Sequence, residues 1–307
     1  MRHIPRLLIV VFAFACAVLA LSACGESDRP PADQPRDVED QLGFDQDGIL
    51  ARQSRVEAAV RDCMKNQGFD YVPVDPVAQR AALFGSARLS EQDFINQFGY
   101  GITTLWGKSS ATADPNERLR ERLGSADRRA YDRALWGDHP GTTFSSAVDN
   151  GDFSDLGGCT RKATTAVFGG TKVLSQLQTR LDALEERMLE DQRMQSAIQK
   201  WSSCMANAGF RYEEPEAIDT DLYARAEKIV GPLPGQFATG PEPGEKPPPY
   251  DRAALAALQR DEIAIAKADH GCENKFIAPV ERKIAPRYQA QFRRQNQDLI
   301  AQIKPAR

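Results

Sequence analysis

Apolar positions open the chain as an unbroken run, Leu7–Leu21, with Arg2 and Arg6 ahead of it and the small residues Ser22 and Ala23 behind. Charged start, short greasy stretch and small residues are the layout of a secretory signal. The run holds 15 residues, whereas a helix needs about 20 to span a bilayer. The pattern therefore predicts a cleaved signal over 1–23 rather than a permanent membrane helix. Polar residues then take over. Gly25 to Asp47 carries eight acidic residues and Pro30, Pro31 and Pro35 among few apolar ones. Such a stretch cannot bury enough surface to offset the entropy of ordering, and 24–47 is predicted to be a disordered acidic tether.

From there on the pattern is helical. Val56, Val60, Cys63 and Met64 share one helix face, and so do Ile198, Trp201, Cys204 and Met205. Ser90 caps a helix through Phe94 and Phe98, which Gly99-Tyr100-Gly101 ends. Further helices are predicted from Asn116 to Leu123 and from Ser125 through Tyr131, Leu135 and Trp136, with 137–158 as loop. Leu174, Leu177, Leu181, Leu184 and Met188 start a stripe that Asp191 interrupts and Met194 resumes, so one long helix is expected over 171–208. Residues 231–250 hold seven prolines and four glycines and read as an exposed spacer loop. Asp251 then starts a helix through Ala268, and a last helix follows Cys272 to about Ile303, with Pro286 as a kink. No period-two strand pattern stands out. The fold class expected is mainly α.

The body repeats itself. Cys63-Met64-Lys65-Asn66-Gln67-Gly68-Phe69-Asp70-Tyr71 matches Cys204-Met205-Ala206-Asn207-Ala208-Gly209-Phe210-Arg211-Tyr212 at six of nine positions. Each copy leads on to a Gly-Cys pair, Gly158-Cys159 and Gly271-Cys272. Two copies suggest twin helical halves, 48–170 and 171–307, joined by the long helix. Within the motif, Gly68 and Gly209 stand where a helix ends and the backbone turns left-handed, and Phe69 and Phe210 pack back on the last turn.

Charge and cysteine usage add a compartment. Residues 1–23 carry two of the 39 basic residues and no acidic one, so the rest sets 37 basic against 43 acidic. That surface argues against nucleic acid as a partner. Leu21-Ser22-Ala23-Cys24 resembles a bacterial lipobox. The resemblance implies an acylated Cys24 as the new N-terminus, anchored on the outer face of the plasma membrane. Cys16 leaves with the signal, and Cys63, Cys159, Cys204 and Cys272 remain. An even count in an exported chain reads as disulfides. Four cysteines allow three pairings, and duplication selects Cys63–Cys159 with Cys204–Cys272.

Catalytic signatures are scarce. After the signal only His139 and His270 are left, and there is no Gly-x-Ser-x-Gly elbow, no His-Glu-x-x-His pair and no phosphate-cradling glycine loop. No metal or cofactor is expected. Met64 and Met205 fill a helix core face rather than hold copper. Tyr100, Trp106 and Trp136 are candidate lining residues for a binding site, with core packing as the alternative for each. The reading is a lipid-anchored, non-catalytic binding or accessory module of the envelope that serves another envelope protein or a transporter. A carboxylate-dependent, glycosidase-like hydrolase and a structural spacer are the alternatives. Adjacent acids such as Glu185-Glu186 and Glu213-Glu214 would serve the hydrolase, and they more simply form solvated surface.

Trp201 with Cys204-Met205 and Gly209-Phe210, Ala266-Lys267-Ala268-Asp269-His270-Gly271-Cys272, Phe98-Gly99-Tyr100-Gly101, Asp114-Pro115-Asn116, Tyr131 to Gly137 and Gly157-Gly158-Cys159 carry a further likeness. In these motifs and their order, residues 50–307 resemble a family of uncharacterised secreted proteins and lipoproteins of actinobacteria. The resemblance implies export and a helical body, and it brings no activity, cofactor or substrate.

Overall fold

A computed structural model describes residues 38–86, 88–106, 115–231 and 249–304. The signal, Cys24 and most of the Pro-rich loop lie outside those residues. The described chain is mainly helical, with no strand among the described residues. No described helix is long and apolar enough to cross a membrane.

In chain order the helices are α1 (Val38–Leu42), α2 (Gln46–Asn66), α3 (Pro76–Phe84), α4 (Glu91–Phe98), α5 (Pro115–Glu121), α6 (Ser125–Trp136) and α7 (Phe144–Asn150), then α8 (Gly158–Phe168), α9 (Thr171–Leu189), α10 (Gln192–Asn207), α11 (Glu216–Val230), α12 (Arg252–Phe276), α13 (Ala278–Gln295) and α14 (Gln297–Gln302). Ser90 does cap α4, its hydroxyl accepting from the Asp93 N–H at 3.1 Å.

Several boundaries differ from the sequence expectation, each for a local reason. Residues 38–47, expected to belong to the tether, are part of the folded body. Val38 is 2% exposed and belongs to the first core, and Phe44 stacks on Phe168 with ring centroids 5.9 Å apart. Arg52 closes that corner. Its guanidinium lies 5.1 Å from the Phe44 ring and 4.9 Å from the Phe168 ring and donates to the Leu42 carbonyl. Burial first, then the neighbouring Arg55, lowers its pKa to about 10. The expected long helix is two. Asp191 caps α10 by accepting from the Arg193 N–H at 2.9 Å, so the acid that interrupts the stripe also starts a new helix. The 137–158 loop contains α7, started by a reciprocal Thr143–Ser146 capping box. Finally, α12 runs straight through Gly271-Cys272 to Phe276, and Pro286 lies inside α13.

Two hydrophobic clusters result among the described residues. The first gathers Val56, Val60 and Met64 of α2, Tyr131 and Leu135 of α6, Phe168 of α8 and the leucine stripe of α9. The second gathers Trp201 and Met205 of α10, Ile218, Leu222 and Ala226 of α11, and Leu258, Ile265 and Cys272 of α12. Neither is self-sufficient. Ile102, which follows α4, sits in the second cluster, while Phe292 of α13 and Ile303 after α14 sit in the first. At that return the Lys304 N–H donates to the Phe168 carbonyl at 3.1 Å. A Cβ on Gly169 would lie 2.2 Å from the Gln302 carbonyl oxygen, so glycine is required for the close approach.

Candidate functional site

Both disulfides have the pairing that the repeat selects. Cys63–Cys159 joins α2 to α8, and Cys204–Cys272 joins α10 to α12. The Cα atoms are 5.6 and 5.8 Å apart, inside the ordinary range for a bridge. The two Gly-Cys pairs are not equivalent, however. Gly158 opens α8 with φ of 51°, whereas Gly271 lies in mid-helix in α12.

The helix ends at the two motif copies do correspond. Gly68 has φ of 84° and Gly209 has φ of 96°. The Phe69 N–H donates to the Met64 carbonyl at 3.0 Å, and the Phe210 N–H to the Met205 carbonyl at 2.9 Å. The glycine N–H groups reach Lys65 and Ala206 at 3.0 and 3.1 Å. This pair of bonds is the Schellman ending, which needs a left-handed residue at the glycine position.

After that common cap the copies diverge. In the first, Asn116 brackets Val72, accepting from its N–H at 2.7 Å and donating to its carbonyl at 2.8 Å. Glu57 accepts from the Tyr71 hydroxyl and the Val74 N–H, both at 2.9 Å. Phe69 meets Tyr131 edge to face, with centroids 5.4 Å apart. In the second copy the corresponding segment lines an open depression of about 370 Å³ between α10, α11 and α12, bounded by Gly209, Phe210, Arg211, Tyr212, Asp221, Arg225, Asp261 and Ile265. The Tyr212 hydroxyl donates to Asp221 Oδ2 at 2.9 Å. Arg225 spans from Asp221 to Asp261, reaching both through their Oδ2 atoms. Burial first, then the bond to Asp221, pushes the Tyr212 hydroxyl above its ordinary pKa, so it remains a donor.

The most buried acids lie elsewhere. Glu262 of α12 is 0% exposed and accepts from the N–H groups of Ile102 at 2.7 Å, Thr103 at 2.8 Å and Thr104 at 3.2 Å, and from the Thr103 hydroxyl. Burial raises its carboxyl pKa, and these donors pull against that rise. Two turns further along the same face, Asp269 accepts from Trp201 Nε1 at 2.7 Å and from the Tyr100 hydroxyl at 2.6 Å. Burial and Asp269 together hold that tyrosine well above its ordinary pKa. His270 Nδ1 lies 3.3 Å from Glu91 of α4. All three acidic contacts fasten the segment 91–105 to the second cluster, so these carboxylates build the fold.

Of the candidate lining aromatics, Tyr100 is therefore part of this clasp. Trp136 packs on the first cluster with Arg120 over its ring at 5.5 Å, and Trp106 is half-buried. Among the described residues no cluster of His, Cys, Asp or Glu could hold a metal ion. The depression was not foreseen from sequence. A signal for it exists in the motif itself, where Asp70 of the first copy is replaced by Arg211 in the second. Comparison with known proteins finds no matching family model, curated protein or solved structure.

Proposed function

We propose that this chain is an exported lipoprotein, anchored through Cys24 to the outer face of the plasma membrane, whose helical body is a non-catalytic binding module of the envelope. The observation that carries the reading is the pair of disulfides, one in each motif copy. Such bridges persist in an oxidising compartment, which agrees with the signal and lipobox at the N-terminus. The likeness to secreted actinobacterial proteins belongs to the same proposal. The ordering of the buried carboxylates supports binding over hydrolysis, since Glu262 and Asp269 are committed to holding the 100–104 backbone and side chains. Asp221 and Asp261 do share one depression, as the hydrolase alternative would ask. Arg225, however, fills the interval between them, where a glycosidase keeps room for the scissile bond.

The test is metabolic labelling with a radioactive fatty acid, with Cys24→Ser alongside. Label should enter the wild type and be absent from the variant, which should also migrate as the uncleaved precursor. Unlabelled wild type, or a variant with unchanged size and membrane association, would overturn the proposal.

A further inference from the structure

The motif copies act as an internal control on one another. They share the same helix ending, yet one is closed over by Asn116, Glu57 and Tyr131 and the other is left open. We infer that the open copy, the depression at Phe210, Tyr212, Asp221, Arg225 and Asp261, binds an uncharged, hydroxyl-rich small molecule of the saccharide class. The inference rests on the reading of the chain as a binding module and names the ligand of that module.

The chemistry of the lining selects this class. Size comes first: about 370 Å³ is small for a binding site, and the depression is open to solvent. Charge comes second. Arg211 and Arg225 balance Asp221 and Asp261, so the site offers no net charge to recruit an ion. Hydrogen-bonding capacity comes third. Arg225 gives one N–H of each terminal nitrogen to the two carboxylates, and the Tyr212 proton points at Asp221. These bonds use Oδ2 of each aspartate, and the Oδ1 atoms remain available as acceptors, as does the Tyr212 oxygen. Arg211 adds N–H donors to these acceptors, so a ligand that fits both donates and accepts hydrogen bonds without carrying charge, as the hydroxyls of a sugar do. Shape comes last. Phe210, half-buried at the edge of the second cluster, gives the depression an apolar side, against which the C–H face of a pyranose ring can lie while its hydroxyl edge meets the aspartates. The left-handed Gly209 at the rim has open space where a Cβ would stand, so the entrance is unobstructed there.

Saturation-transfer NMR on the full-length protein in detergent tests this, with glucose, N-acetylglucosamine and their disaccharides as probes and inorganic phosphate and arginine as charged controls. At least one saccharide should receive saturation, and neither control should compete with it. Tyr212→Phe and Asp261→Asn should each weaken the transfer about five-fold, the size of one or two lost hydrogen bonds. Tyr71→Phe, the same change in the closed copy, should leave the transfer unaltered. All three variants are compared at an unchanged thermal unfolding midpoint, and Tyr212→Phe alone suffices if Asp261→Asn fails to fold. No transfer to any saccharide, competition by phosphate or arginine, or equal loss with Tyr71→Phe would each overturn the inference. Fatty-acid labelling at Cys24 reads the anchor separately, so failure of the ligand assignment and failure of the lipoprotein reading are distinguishable.

Discussion

Gly99 and Gly209 both hold a left-handed backbone, with φ of 64° and 96°, but their surroundings differ. A Cβ at Gly209 would enter open space, while one at Gly99 would lie 3.0–3.1 Å from Glu262, including its backbone. Gly209→Ala should therefore cost only the conformational term, about 1 kcal/mol. Gly99→Ala adds a collision with α12 just where Glu262 accepts its three backbone N–H groups. Its loss should be larger, about 2–4 kcal/mol. Urea unfolding of both variants checks this ordering, and equal losses would show that the 99–105 segment does not dock tightly. The buried carboxylates themselves were legible only in hindsight of phase. Leu255, Leu258, Glu262, Ile265, Asp269 and Cys272 step by threes and fours along one face. An acid in phase with an apolar stripe is a signal for a buried, hydrogen-bonded carboxylate, although its partners, more than 150 residues away for Glu262, are not encoded locally.

At the scale of elements, α4 and α12 are joined by His270 and Glu91. The bond to Glu91, with added attraction from Glu91 and Asp269, raises the His270 pKa above 6.5 against the opposing effect of burial. On its other side the ring meets Asn274 at 3.0 Å. The folded state thus holds this proton more tightly than the unfolded chain. The stability it contributes is fully present below the unfolded pKa of 6.5 and is lost as pH rises through the higher folded value. His270→Gln should lower stability most in acid and least in alkali, measured by denaturant titration from about pH 5 to about pH 9. A difference independent of pH would remove the ion pair from the account. Element existence was readable where a single signal sufficed: the α4 cap at Ser90, the Schellman glycines, the stripes of α2, α9 and α10. It was not readable where signals compete. The stripe of α9 resumes in phase after Asp191, which hides a break made by a capping side chain. Gly271 reads as a stop, yet α12 carries it because packing on both flanks outweighs a local cost of about 1 kcal/mol. In the same way, α8 and α11 were missed, their N-cap positions, Gly157 and Pro215, lacking a side-chain cap bond.

For the molecule as a whole, the bridges close separations of 96 and 68 residues. Chain entropy gives about 4–5 kcal/mol for loops of this size, and measured values run at about 2–4 kcal/mol. Replacing Cys204 and Cys272 together by Ala, or Cys63 and Cys159, should lower the unfolding free energy by that amount. Losses under about 1 kcal/mol for both double variants would show that the packed helices hold without them. The pairing was legible because each motif cysteine is followed along the chain by one Gly-Cys pair, although the two pairs sit differently in their helices. The exchange of elements between the two clusters was not, since nothing in the periodicity of α4 or α13 says which core it will join.

That exchange sets an order of events. A polypeptide emerges from the ribosome, or from a translocation channel, beginning first. Phe292 and Ile303 fill the cluster built by α2, α6, α8 and α9, so helices that emerge early wait for residues made much later before their packing is finished. A stop that removes Ile303 and Lys304 would therefore leave its defect more than a hundred residues upstream, around Phe168.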